Sequence, residues 1–326
     1  MMDKNRIDIK ENYIYQLDNE LLAILLKDRS SKQNIIWATD NYAHRGFGYQ
    51  SYDQITIMAI TGHKGSVVKP RTEKSKKEQT ERIREKAEVF TPSWICNKQN
   101  NLVDNAWFGS EDVFNTECEK TWTATTEPVR FPSATGKTWQ DYINDVRLEI
   151  TCGEAPYLVS RYDTVSGEMI ELPQRIGLLD RKLRIVSENI ESEEDWLNWA
   201  IKAYQNIYGY DWQGDNVLLA RENLLFTFID YYQAKFNKSP DVKTLHKIAE
   251  ILSWNIWQMD GLKFVIPDSC KEIEQGQLSL FDLSAEKEPC PGCTKNDPHA
   301  HTGIYCIIKD WKKNKNVPFV LLLNKE

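Results

Sequence analysis

The sequence predicts an α/β protein built on a doubly wound sheet, with an N-terminal accessory region and a small C-terminal Cys/His unit. Three observations carry that expectation. First, Leu148-Glu149-Ile150-Thr151-Cys152-Gly153-Glu154-Ala155-Pro156-Tyr157-Leu158 reads as a buried strand with an acidic residue, then a tight turn of small residues and an aromatic. That geometry suits a nucleoside lying on a backbone loop at the carboxyl end of a strand. Second, two later apolar runs end in Asp211 and Asp260, and the first precedes a long helical pattern. Third, a polar stretch over 268–289 separates these from Cys290-Pro291-Gly292-Cys293 and the residues that follow.

Composition allows such a fold. Of 326 residues, 41% are hydrophobic and 11% aromatic, enough to build a core in one large domain or two smaller ones. Apolar residues at helical spacing (Tyr13, Ile14, Leu17, Leu21, Leu22, Leu25, Leu26) predict a helix over 12–27. Strands are expected over 34–39 and 54–58, and a charged helix over 69–87. The stretch 90–146, rich in Asn, Thr, Trp and Pro, reads as irregular, and 157–187 as a hairpin turning at Thr164-Val165-Ser166-Gly167. Ser192, three residues before Asp195, opens a helix running to about Tyr204. Two more helices, 216–235 and 241–252, flank the break at Ser239-Pro240, and 254–257 is a short strand. Strands are also expected over 304–308 and 319–323. The resulting division is 1–88 accessory region, 89–267 cofactor-binding domain, 268–289 flexible linker and 290–326 Cys/His unit.

The net charge of −7 argues against tight, autonomous DNA binding, which needs a basic footprint. Between Lys64 and Lys86, however, nine Lys/Arg face four Glu. Both a solvated helix face and a phosphate-contacting arm fit that pattern. No apolar run is long enough to span a bilayer, and the first residues lack an apolar signal core. Seven Cys then read as thiols or metal ligands, and a cytoplasmic location without membrane contact is expected.

Val89-Phe90-Thr91-Pro92 followed by the 148–158 string resembles motifs X and I of the amino-group DNA methyltransferases that act on N6 of adenine. The modification subunits of restriction–modification systems belong to that family. The resemblance spans roughly residues 80 to 265. It implies a Rossmann-like methyltransferase sheet that binds S-adenosylmethionine. Phe90, Thr91, Pro92, Glu149, Cys152, Gly153 and Tyr157 would line its cofactor site. Asp211, followed by Leu218-Leu219-Ala220-Arg221-Glu222-Asn223-Leu224, would hold the ribose, with Asp180 as a rival; Asp260 would meet the adenine. The family's catalytic Asn/Asp/Ser-Pro-Pro-aromatic motif, which grips a flipped base, has no match here. Asn316-Val317-Pro318-Phe319 is nearest, with Val in place of the first Pro. The expectation is therefore a DNA-directed methyltransferase completed by a partner such as a restriction or specificity subunit. The alternative is a non-catalytic cofactor-binding or interaction module in phage defence or anti-defence.

Cys290, Cys293, His299, His301 and Cys306 form a compact donor set for zinc (Zn2+), one His being spare in a tetrahedral site. A structural role is expected for the metal. Within the linker, Gln277-Leu278-Ser279-Leu280-Phe281 resembles the bacterial sliding-clamp-binding peptide, an apolar anchor in a polar segment. A short turn packing on its own domain is the competing reading.

Overall fold

A computed structural model describes residues 11–65, 67–132, 136–275 and 286–323. Helices and small sheets alternate along the chain. The N-terminal segment forms α1 (Glu11–Leu17) and α2 (Asn19–Leu26) rather than one helix. Asp18 divides them because its carboxylate accepts from the amides of Glu20 and Leu21 and so caps α2. The strands expected at 34–39 and 54–58 reduce to the isolated bridges Lys27–Asn34 and Ile36–Gln54. Ile36 instead spends its backbone on the Gln258 side chain, which both accepts from its N–H and donates to its C=O at 2.9 Å. The chain then turns into the short helix α3 (Ile57–Ile60) and reaches α4 (Lys76–Lys86).

The stretch expected to be irregular contains α5 (Ser93–Phe108), the hairpin β1 (Asn115–Cys118) with β2 (Thr121–Ala124), and α6 (Trp139–Asn144). Periodicity did not reveal α5 because much of its buried face is polar. The Arg181 guanidinium of α7 (Leu178–Asn189) donates to Asn97 and Asn101 Oδ1 (2.9 and 2.6 Å) and to Asp104 Oδ2 (2.6 Å). Such an all-polar contact is stable when each group is paired. Of the hairpin expected at 157–187, a single bridge between Tyr162 and Met169 is present, and α7 takes the rest.

Three parallel strands form the central sheet in the order β3 (Arg147–Glu149), β4 (Ile207–Asp211), β5 (Ile256–Gln258). Parallel neighbours need crossover connections. These are α7 with α8 (Glu193–Gln205), and α9 (Gly214–Phe236) with α10 (Val242–Asn255), close to where the sequence predicts the helices α8 to α10. The observed architecture is a mixed helix-and-sheet chain. Among the described residues the parallel sheet has these three strands.

Ile207, Leu218, Leu224 and Ile256 join Leu21, Leu25 and Leu252 in one continuous core, so α2 packs on α10 and α9. The buried Arg221 locks this corner by donating to the carbonyls of Leu25, Lys27 and Ile256. Tyr210 and Trp257 belong to a second apolar cluster with Met259, Ile266 and Cys306, against which Phe319 packs.

The C-terminal part carries α11 (Pro291–Lys295) and the hairpin β8 (Ile307–Asp310) with β9 (Lys315–Pro318). Residues 319–322, expected as a strand, form a 3-10 turn. The ends of the expected linker pair as β6 (Ile273–Gln275) and β7 (Glu286–Glu288). The clamp-like peptide Gln277–Phe281 lies outside the described residues. No described helix is long and apolar enough to cross a membrane.

Candidate functional sites

The loop after β3 folds back onto the end of β4. Glu149 ends β3, and its carboxylate accepts from the amides of Tyr157 (3.3 Å) and Leu158 (3.2 Å), closing the loop on itself. The Cys152 amide donates to Tyr210 O (2.8 Å) and the Gly153 amide to Asp211 Oδ2 (2.9 Å). Gly153 has φ +54°, which favours glycine, and a Cβ there would lie 3.3 Å from Phe90 Cε1. Phe90 therefore rests on the turn, with the Arg71 guanidinium 5.5 Å from its ring centroid. Thr91 accepts at its carbonyl from Thr164 Oγ1, and Pro92 leads directly into α5. From α9, Asn223 Nδ2 donates to Glu154 O and Tyr162 Oη, both at 3.0 Å, pinning the far side of the loop.

These elements enclose a cavity of about 670 Å3, within the size range of small-molecule sites. Phe90, Thr91, Glu149, Cys152, Gly153, Tyr157 and Asp211 all line it, so the structure brings together seven of the nine residues expected at the cofactor. Gln99, Asn100, Gln213 and Asn216 line it too and were missed, since lone amides carry no sequence signal. Glu88, also missed, is turned toward Arg82 at 2.9 Å.

Among the described residues, no Lys, Arg or His lines the cavity. Glu149 and Asp211 are each 8% exposed. Burial pushes the Glu149 carboxyl well above its usual range, despite the two amides it accepts from. Burial raises Asp211 to about 6, opposed by hydrogen bonds from Gln213, Gly153 and Asn216. Asp211 accepts from the Gln213 amide at 2.9 Å and Asn216 Nδ2 at 3.4 Å besides Gly153. A carboxylate has about four acceptor positions, so about one stays open for a ligand. The Cys152 thiol is buried, which pushes its pKa well up and makes it a packing group.

Asp260 lies elsewhere. It accepts from the amides of Leu262 (2.9 Å) and Lys263 (3.2 Å), capping its own turn, and does not line the cavity. Asp180 also lies elsewhere: its Oδ2 accepts from the amides of Ser160 and Gly177, and it does not line the cavity. Part of the basic stretch turns inward: Arg82 donates to Asp215, Tyr42 and Gln213, and Lys74 Nζ lies 3.5 Å from Asp215. These two cations fasten the segment to the start of α9 and are closed to phosphate.

The metal-ligand set differs from the expected one. Cys270, Cys290, Cys293 and His301 have their ligand atoms within 4.8 Å of one another and could hold an ion such as zinc. The three sulfurs lie 3.7, 3.6 and 3.7 Å from His301 Nδ1. A tetrahedral zinc, with Zn–S about 2.3 Å and Zn–N about 2.0–2.1 Å, would hold sulfur and nitrogen about 3.6 Å apart. The Thr302 amide donates to Cys290 Sγ at 3.3 Å. A Cβ on Gly292 would strike His301 Nδ1 at 2.6 Å, so the turn between the paired Cys requires glycine. His299 is outside this group. Cys306 is fully buried in the second apolar cluster, its thiol donating to Gln258 O at 3.3 Å. Cys270, twenty residues before Cys290, belongs to no Cys-x2-Cys pair and offered no spacing to find it by.

No protein-family model, curated protein or solved structure matches the chain.

Proposed function

We propose that this chain binds S-adenosylmethionine in the acid-lined cavity and forms the cofactor-binding half of an adenine-N6 DNA methyltransferase of a restriction–modification system. The observation that carries the reading is the cavity's polarity. Two buried carboxyl groups and aromatic rings line it and, among the described residues, no basic side chain does, so an occupant that brings positive charge relieves the cost of ionising them. S-adenosylmethionine brings an ammonium and a sulfonium. Glu149 would meet the ammonium, the open position on Asp211 a ribose hydroxyl, and Phe90 or Tyr157 the flat base. When bound, the cofactor supplies an electrophilic methyl group; the chain's own part is to bind and orient it. The position at the carboxyl ends of parallel strands supports a Rossmann-like, doubly wound ancestry.

The sequence lacks the motif that grips a target adenine, so a partner chain would bring it, with DNA as the shared substrate. The Cys3His group would hold a structural zinc, and Gln277–Phe281 would tether the complex to a sliding clamp in the cytoplasm. The same missing motif favours a second reading, a cofactor-binding module without catalysis in phage defence or anti-defence.

Calorimetric titration with S-adenosylmethionine tests the first step. Asp211→Ala should weaken binding by about 1.5–3 kcal/mol, the worth of hydrogen bonds to a charged acceptor. Unchanged affinity refutes the ribose assignment, and a wild-type chain that binds no cofactor refutes the whole proposal. Cofactor binding without methyl transfer to DNA, with or without the companion subunits, selects the second reading.

A further inference from the structure

The C-terminal unit covers the central sheet only in part. Phe319 packs on Tyr210 and Trp257, with ring centroids 6.0 and 5.2 Å away. Toward the β3 edge, Val146 and Leu148 stay 55% and 45% exposed. A cavity of about 510 Å3 opens there, walled by Tyr208, Trp257, Trp311 and Phe319. The polar ends of three of these rings are already engaged: Tyr208 Oη donates to Lys309 O, Trp257 Nε1 to Met259 Sδ and Trp311 Nε1 to Asn255 Oδ1. What Tyr208, Trp311 and Phe319 offer an occupant is aromatic surface, while Trp257 is only 2% exposed and backs them. Lys309, Lys312, Lys313 and Lys315 also line the cavity, on and beside the β8–β9 turn. The acidic group among them, Asp310, accepts from the Lys313 amide (3.0 Å) and lies 4.0 Å from Lys313 Nζ. Four cations against one occupied carboxylate make a local positive field on a chain of net charge −7.

We infer that this cavity binds single-stranded nucleic acid, with an unstacked base against the aromatic wall and the phosphates on the lysines. Base stacking on aromatic side chains beside a basic track is how sequence-tolerant single-strand binding works. A duplex keeps its bases stacked inside, so its phosphates would meet the lysines while no base is free to stack on the rings. The lysines extend along a turn, matching a chain of phosphates better than one small anion. The inference stands apart from the cofactor reading, because among the described residues the two cavities share Leu148 alone.

The test is fluorescence anisotropy of a labelled oligothymidylate of about twelve nucleotides with the full zinc-loaded chain, together with quenching of tryptophan emission. Wild type should bind with quenching, and a duplex of equal length should bind more weakly. The exposed triple variant Lys312→Glu/Lys313→Glu/Lys315→Glu should lose at least about tenfold in affinity. Its salt dependence, as log K against log salt, should be shallower by about 2, since each lost phosphate contact removes about 0.7. The control Lys76→Glu/Lys77→Glu, on the exposed face of α4, should bind as wild type. No binding by wild type, an unaffected triple variant, or loss in the α4 control instead would overturn the inference. Displacement of the oligonucleotide by an equimolar acidic, leucine-containing peptide would also overturn it, in favour of a protein partner.

Discussion

Replacing Cys270 separates the structural ligand set from the one that sequence spacing suggests. The structure groups Cys270 with Cys290, Cys293 and His301, and leaves Cys306 in an apolar cluster. Structural zinc sites release about 10–16 kcal/mol on binding, so an even share is about 2.5–4 kcal/mol per ligand. Cys270→Ser should therefore weaken zinc by roughly two to three orders of magnitude. Cys306→Ser should leave zinc affinity within about tenfold of wild type, whatever it does to stability, and His299→Ala should do the same. The assay is competition against a chromophoric chelator on the purified chain, with zinc content read by elemental analysis. Cobalt substitution offers a second readout, because loss of one sulfur ligand weakens the thiolate charge-transfer band, which should happen in Cys270→Ser and not in Cys306→Ser. Loss of metal in Cys306→Ser with retention in Cys270→Ser would refute the assignment, as would wild-type protein purified without chelator and carrying no zinc.

The remaining expectations concern the buried ion pairs that fasten the basic segment to α9, and the loop after β3. Arg82→Met leaves Asp215 with Lys74 as its one remaining cationic partner among the described residues and should cost about 3–5 kcal/mol in urea unfolding; a loss below about 1 kcal/mol would show the network to be dispensable. Burial works against the Asp215 charge, but Arg82 and Lys74 overcome it and hold the carboxyl well below its usual range. Its stabilisation is therefore complete above the unfolded carboxylate pKa of about 3.9 and is lost as pH falls toward the lower folded value. Asp215→Asn should flatten that acid limb of a stability–pH curve, and an unchanged limb would remove Asp215 from the account. Gly153→Ala forces an L residue into a left-handed conformation against Phe90 and should cost about 1–2 kcal/mol, with weaker cofactor binding; calorimetry and melting together check it, and a neutral change would mean the turn is pliable.

The helices α8, α9 and α10 were legible in the sequence, from the Ser192 cap, the apolar content of 216–235 and the break at Ser239-Pro240, whereas α7 was hidden in a stretch that reads as a hairpin. The grouping of Phe90, Gly153 and Asp211 at one site was an expectation carried by the family resemblance, and the contacts of Phe90 with Gly153 and of Asp211 with the Gly153 amide come from the tertiary fold. α5 was not legible: its buried side chains include Asn97, Asn100, Asn101 and Asp104, which become core residues only when Arg181 and the carbonyls of Tyr157 and Ile176 arrive to pair them. Asp211 and Asp260 look alike along the chain, each following an apolar run, yet one faces a cavity and the other caps its own turn. Cys270 and Cys306 exchange roles for the same reason. A residue's type and spacing state which bonds it can make. Which partners come within reach depends on contacts between segments far apart in the chain, and only the tertiary fold supplies those.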